Sequence, residues 1–237
     1  MELELGIIAA VVGYLVGSIS FARVINRIVA PEEAITGMSI DVSGREEKME
    51  VSAVSGTAVS MKLGAKYGGL TAILDILKVA LPALAFKLLY PTSPYFLVLA
   101  GAGLLGHNWP LYHRFKGGRG MSAIYGGFLV ADWIGSLVTA VVGMVFGLAV
   151  LKDVVVSYLA GLWLMIPWLW FRTHDLAYVA YAVFVNVIFI VAMIPEIKKV
   201  IELRRMGADQ SVSAGMDATP MGKMMKKMAS RLGLMKE

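Results

Sequence analysis

Six apolar stretches dominate this chain, at roughly residues 5–29, 67–90, 95–111, 133–151, 154–171 and 175–195. A helix needs about 20 mostly apolar residues to cross a bilayer, and inside the hydrocarbon each backbone N–H and C=O must find its partner within the protein. Stretches of this length confine the chain to an all-α fold, a polytopic bundle of membrane-crossing helices. A water-soluble domain carries far more charge than the 16% found in these 237 residues, whose mean hydropathy is +0.71.

A shorter stretch decides the topology. Residues 121–131 are apolar but too few for a full crossing, and Asp132 closes them. Six crossings would put both ends on one side. Yet the chain starts acidic, and from Glu196 onward it carries nine Lys and Arg against five Asp and Glu. Counting the short stretch gives about seven transmembrane helices, with the N-terminus outside and the C-terminus cytoplasmic, as the positive-inside rule prefers. The short helix then follows a glycine loop on the inner side, and its ends need protein or water around them, which is where substrate can enter.

The expected division is a transmembrane domain over 1–196 and a cytoplasmic basic tail over 197–237. In the tail, 207–220 reads as a flexible linker. Met221, Met224, Met225, Met228, Leu232 and Met235 then recur at helical spacing among Lys223, Lys226, Lys227 and Arg231. That pattern predicts an amphipathic helix over about 221–235, suited to an anionic membrane surface or alternatively to a docking partner. The acidic start lacks the basic region of a cleaved signal peptide, so the first span is expected to be retained. Loop 30–66 is too long for a simple connection. Its charged part reads as solvated, and its Ser/Gly-rich part, 51–60, as a possible second wall of a site.

With no cysteine, disulfides and thiolate catalysis are excluded. His107, His113 and His174 lack zinc-ligand spacing, so no metal and no cofactor is expected. No motif for reading nucleic acid is present.

The chemistry concentrates in residues 106–123, a basic glycine loop between two apolar stretches. Gly117, Gly118 and Gly120 let backbone N–H groups approach an anion closely, Lys116 and Arg119 neutralise its charge, and a following helix start adds its positive end. The competing reading is that these cations only flank a helix pair. Asp75 and Lys78 lie i, i+3 in an apolar run, placed to pair on one face or to snorkel toward the inner end. His107 and Asn108 precede Trp109-Pro110, where the proline ends a helix. His107 is the candidate for proton handling, or else it orients the loop. Ser18 and Ser20 in the first span read as packing residues.

Gly-Ser-Ile-Ser-Phe at 17–21, Leu-Asp-Ile-Leu-Lys at 74–78 and the run 106–123 together resemble the PlsY family, membrane glycerol-3-phosphate acyltransferases that use acyl phosphate. The third block is the specific one, close to the family's Gly-His-x-Phe-Pro and Phe-Lys-Gly-Gly-Lys-Gly, with Arg119 in place of a lysine. The likeness runs from about residue 13 to 171 and implies seven helices, one of them short. It implies acyl phosphate and glycerol 3-phosphate as substrates, membrane lipid around the protein, and lysophosphatidic acid as product of phospholipid synthesis. Carried over residue by residue, it makes Ser52 and His107 the catalytic pair. Lys62, Asn108, Lys116, Gly117, Gly118, Arg119, Gly120 and Ser157 become the phosphate or substrate contacts, with Asp75 and Lys78 in support.

Two departures stand out. The family's Gly-Ser-Gly-Asn-x-Gly-Ala-Thr-Asn segment aligns with Val51 to Val59, where Val54 and Val59 replace asparagines and Ser55 competes with Ser52 for the serine position. The family's His-Arg-x-Asn element after the last span becomes Ile-Pro-Glu-Ile-Lys-Lys at 194–199. The leading expectation is therefore an acyltransferase of this type in the cell membrane. The alternative is a diverged member, non-catalytic or with an altered acceptor, that binds a phosphorylated lipid precursor or anion.

Overall fold

Small residues bring the first helix of this computed structural model against the bundle. Helices α1 (Leu3–Gly17) and α5 (Tyr95–Asn108) touch backbone to backbone. A Cβ on Gly17 would stand 2.2 Å from the carbonyl oxygen of Gly103, and one on Gly106 would stand 2.2 Å from that of Tyr14. Lipid is as apolar as leucine, so close packing of small residues is what joins helices there. The structure describes residues 2–41, 48–151 and 154–205, with 222, 223, 227 and 230 in isolation. The predicted linker 207–220 and most of the predicted helix at 221–235 lie outside the described residues.

After α1 come α2 (Phe21–Val29), a hairpin of β1 (Met38–Asp41) and β2 (Lys48–Val51), α3 (Gly56–Leu63) and α4 (Ala65–Leu89). Following α5, a 3₁₀ turn (Leu111–His113) and the glycine loop lead to α6 (Met121–Val145), α7 (Val154–Thr173) and α8 (Leu176–Arg205). Leu99 and Leu104 of α5, Ile124 and Phe128 of α6, Leu162 and Met165 of α7 and Val185 of α8 form the buried centre. Leu88, Trp133, Phe171 and Leu176 face outward, as lipid-facing side chains do. By length and composition, Leu3–Val29, Met121–Val145 and Leu176–Glu202 are apolar enough to cross a membrane.

The structure departs from the sequence expectations in three places and meets one of them at Asp132. The first apolar stretch is not one helix: it breaks at residues 18–20, between α1 and α2. The 30–66 segment contains the antiparallel hairpin, Met38 opposite Val51, so the described residues add two short strands to the helices. As expected from the sequence, Asp132 leaves helical geometry (φ −154°, ψ 102°) and divides α6 into a short first part, 121–131, and a second part. Finally, α8 continues across the boundary expected at 196, and its Lys199 ammonium donates to the Glu50 carbonyl of β2.

Candidate active site

The break after Gly17 frees backbone groups that must be satisfied. The Ser18 hydroxyl donates to the Tyr14 carbonyl (2.8 Å) and accepts from the Leu111 amide (3.2 Å). The Ile19 carbonyl accepts from the Lys78 ammonium at 2.6 Å. One turn of α4 places Asp75 beside Lys78, with Nζ and Oδ1 2.8 Å apart. At the end of α5, His107 brings Nδ1 to 3.0 Å from the Lys78 Nζ and 3.7 Å from Asp75 Oδ1. All three side chains are buried. Charges withdrawn from water in this way persist only when paired and hydrogen-bonded.

This arrangement fixes the histidine tautomer. A lysine ammonium only donates, so Nδ1 of His107 accepts and the neutral ring carries its proton on Nε2. A Cβ on Gly118 would stand 2.2 Å from that Nε2, which puts the ring edge against the loop backbone. His107 therefore offers the loop a donor and not a free base.

The loop is anchored on the same helix end. The Gly118 amide donates to the His107 carbonyl (3.1 Å), and the Gly117 carbonyl accepts from the Val54 amide (3.0 Å), which joins the 51–60 segment to the loop. Arg114 and Phe115 both take positive φ, and Gly120 at φ +95° opens α6. Asn108 is buried beneath Gly120, and neither end of its side-chain amide has a hydrogen-bond partner among the described residues.

Between these elements lies a narrow cleft lined by Ser18, Ser20, Val54, Lys78, His107 and Gly118 among others, with an internal volume of about 10 Å³, room for one water-sized group as it stands. Arg23 of α2 stands at its lip. Its guanidinium donates to the Ser20 hydroxyl (3.3 Å) and to the Lys116 carbonyl (2.8 Å). His113, in the turn outside the helices, is held below its ordinary pKa by burial and then by the charges of Arg23 and Lys78. It adds no charge near neutral pH.

The residues named from sequence divide in this geometry. His107, Lys78, Asp75, Asn108, Gly117, Gly118 and Gly120 converge around or beneath the cleft. Lys116 points to solvent. Arg119 turns to Glu196 of α8, with Nε to Oε2 at 2.9 Å and Nη2 to Oε1 at 2.5 Å. Lys62 holds the Glu33 carbonyl (2.8 Å) and carboxylate (3.3 Å). Ser52 is exposed, and the Ser55 hydroxyl caps α3 by accepting from the Ala58 amide (3.4 Å). The hydroxyls that do line the cleft are Ser18 and Ser20. Ser157 lies on α7, but its side chain is outside the described parts.

Sequence reasoning missed Ser20 as a cleft residue, Arg23 and Glu196. The spacing Ser20-x-x-Arg23 was a usable signal, whereas nothing local marks Glu196 as a partner of Arg119.

The comparisons converge on one group of proteins. The family model described as glycerol-3-phosphate acyltransferase matches residues 7–203. Glycerol-3-phosphate acyltransferase 1 of Lactobacillus johnsonii is 27% identical over 169 residues, 68% of this chain and 76% of the relative. The glycerol-3-phosphate acyltransferase of Aquifex aeolicus is 35% identical over 114 residues, 48% of this chain and 53% of the relative, so that alignment spans about half its length. Among solved structures, the chain's fold is similar to that of PlsY in its glycerol 3-phosphate form. The TM-score is 0.68 at 23% identity, covering 84% of this chain and 93% of the other.

Proposed function

The chain belongs to the glycerol-3-phosphate acyltransferase family, and on that premise we propose that it moves an acyl group from acyl phosphate to glycerol 3-phosphate. It is a multi-pass membrane protein with several apolar helices. On this reading the N-terminus lies outside, and the basic tail beyond α8 lies in the cytoplasm.

The observation that carries the reading is the meeting of Ser20, Lys78, His107 and Gly118 at one small cleft. In the reaction, the acceptor hydroxyl oxygen bonds to the acyl carbon, the bond from that carbon to the phosphate oxygen breaks, and the departing phosphate takes the hydroxyl proton. The protein needs to supply position and electrostatic stabilisation, not a covalent intermediate. Lys78 holds Nδ1 of His107, so Nε2–H is fixed as a donor toward the loop, where charge builds on the carbonyl or phosphate oxygens. Gly117, Gly118 and Gly120 keep the loop backbone free of side chains at this point, and Arg23 supplies positive charge at the lip beside Ser20.

The test is transfer from labelled acyl phosphate to glycerol 3-phosphate by the protein purified into nanodiscs. His107→Ala and Arg23→Ala should each lower turnover by a factor of about 10²–10³, the scale of losing one preorganised donor. Turnover that survives both changes would reject this site. A diverged, altered-acceptor reading is favoured by the Arg119–Glu196 pair. It predicts transfer to other hydroxyl acceptors but not to glycerol 3-phosphate.

A further inference from the structure

We propose that Glu196 sets acceptor affinity in this chain by occupying the Arg119 guanidinium, so that an acceptor phosphate must displace an internal carboxylate to reach it. This rests on the acyltransferase reading in naming glycerol 3-phosphate as the displacing ligand.

Arginine presents a planar fork of N–H groups that fits a carboxylate or a phosphate in the same two-point manner. Here the fork is already filled, Nε by Oε2 and Nη2 by Oε1. The two side chains are only 20% and 11% exposed, so solvent and salt screen the pair weakly. It is not a loose surface contact.

The sequence around it explains why the carboxylate is there. Glu196 falls in the Ile-Pro-Glu-Ile-Lys-Lys stretch, where the resemblance leads one to expect a histidine and other neutral or basic polar groups. α8 carries that stretch to the glycine loop, across 77 residues of sequence. Two cations near the cleft are thereby matched internally, Lys78 by Asp75 and Arg119 by Glu196. A phosphate dianion entering beside them meets less net positive charge than the glycine loop's own sequence promises.

The experiment uses the full-length protein in nanodiscs and two readouts. Equilibrium dialysis with radiolabelled inorganic phosphate reports binding without turnover, and steady-state transfer to glycerol 3-phosphate separates KM from kcat. Glu196→Gln should tighten phosphate binding and lower KM by roughly tenfold, with kcat nearly unchanged, since one charge-assisted contact no longer has to be broken. Glu196→Asp should stay close to the unmodified protein. In an Arg119→Gln background, the Glu196→Gln change should leave phosphate binding nearly unchanged, because the guanidinium it would release is already gone. Unchanged or weaker phosphate binding by Glu196→Gln alone, or an equal tightening in the Arg119→Gln background, would overturn the proposal. The first result would mean that Glu196 presents Arg119 to the substrate instead of withholding it, and the second that its charge acts without Arg119. Failure of glycerol 3-phosphate transfer by the unmodified protein, alongside tighter phosphate binding by Glu196→Gln, would reject the acyltransferase reading and leave the role of Glu196 standing.

Discussion

Midway along α4, Lys78 gathers Asp75, His107 and the free carbonyl of Ile19; further along the same helix, Lys87 reaches α6. The Lys87 ammonium donates to the carbonyls of Val130 (2.6 Å) and Ala131 (3.4 Å), the last groups of the short helix before the break at Asp132. Asp132 then caps the second part of α6 by accepting from the Gly135 amide (3.0 Å), and its other oxygen accepts from Trp168 (3.1 Å) and Arg172 (2.9 Å). Both clusters repair a broken helix with charged groups. At Asp132 both carboxylate oxygens are spent on that repair. Around Lys78 the repair leaves the His107 Nε2–H edge and the Asn108 amide directed at the glycine loop. What separates a site from a splint is hydrogen-bonding capacity left over and aimed at a cleft, not the mere presence of buried charge.

The sharpest way to break this comparison is Lys78→Met. It strands Asp75 without its cation, which should cost about 3–5 kcal/mol in stability and abolish transfer, as read by chemical unfolding and by the acyl-transfer assay. Adding Asp75→Asn should recover most of the stability and none of the transfer, because His107 still lacks its holder. Gly118→Ala comes next. Its methyl group would press on His107 Nε2, and a displacement of that size should lower kcat about 10²-fold with a stability loss of about 1–3 kcal/mol. Asp132→Ala removes a cap inside the bundle and should cost about 1–2 kcal/mol, while turnover per folded molecule stays unchanged. The smallest effect belongs to Lys87→Met, about 0.5–1.5 kcal/mol, measured by the shift in unfolding midpoint. Should either change at the Asp132 cluster reduce turnover beyond its loss of folded protein, the distinction between the two clusters would fail.

Much of the site was legible because its signals are local. The i, i+3 spacing of Asp75 and Lys78 made their pairing readable, and their ion pair is present. Asp132 at the end of a short apolar stretch marked the break in α6. Proline after Asn108 and the glycines after Lys116 located the loop. The serines read from the alignment do not line the cleft: of the two hydroxyls in the 51–60 segment, one is exposed and the other caps a helix. The hydroxyls lining the cleft come from the break in the first apolar stretch, which hydropathy alone reads as continuous helix.

The chain by itself determined the solvent, the helical class and the place of the basic glycine loop, because bilayer thickness and backbone hydrogen bonding act on each segment separately. Only the tertiary structure decided which charges meet. Lys78 finds Ile19 across 59 residues and Arg119 finds Glu196 across 77. Such pairings depend on how close α1, α5 and α8 can pack, which is set by contacts between helices that no local pattern encodes.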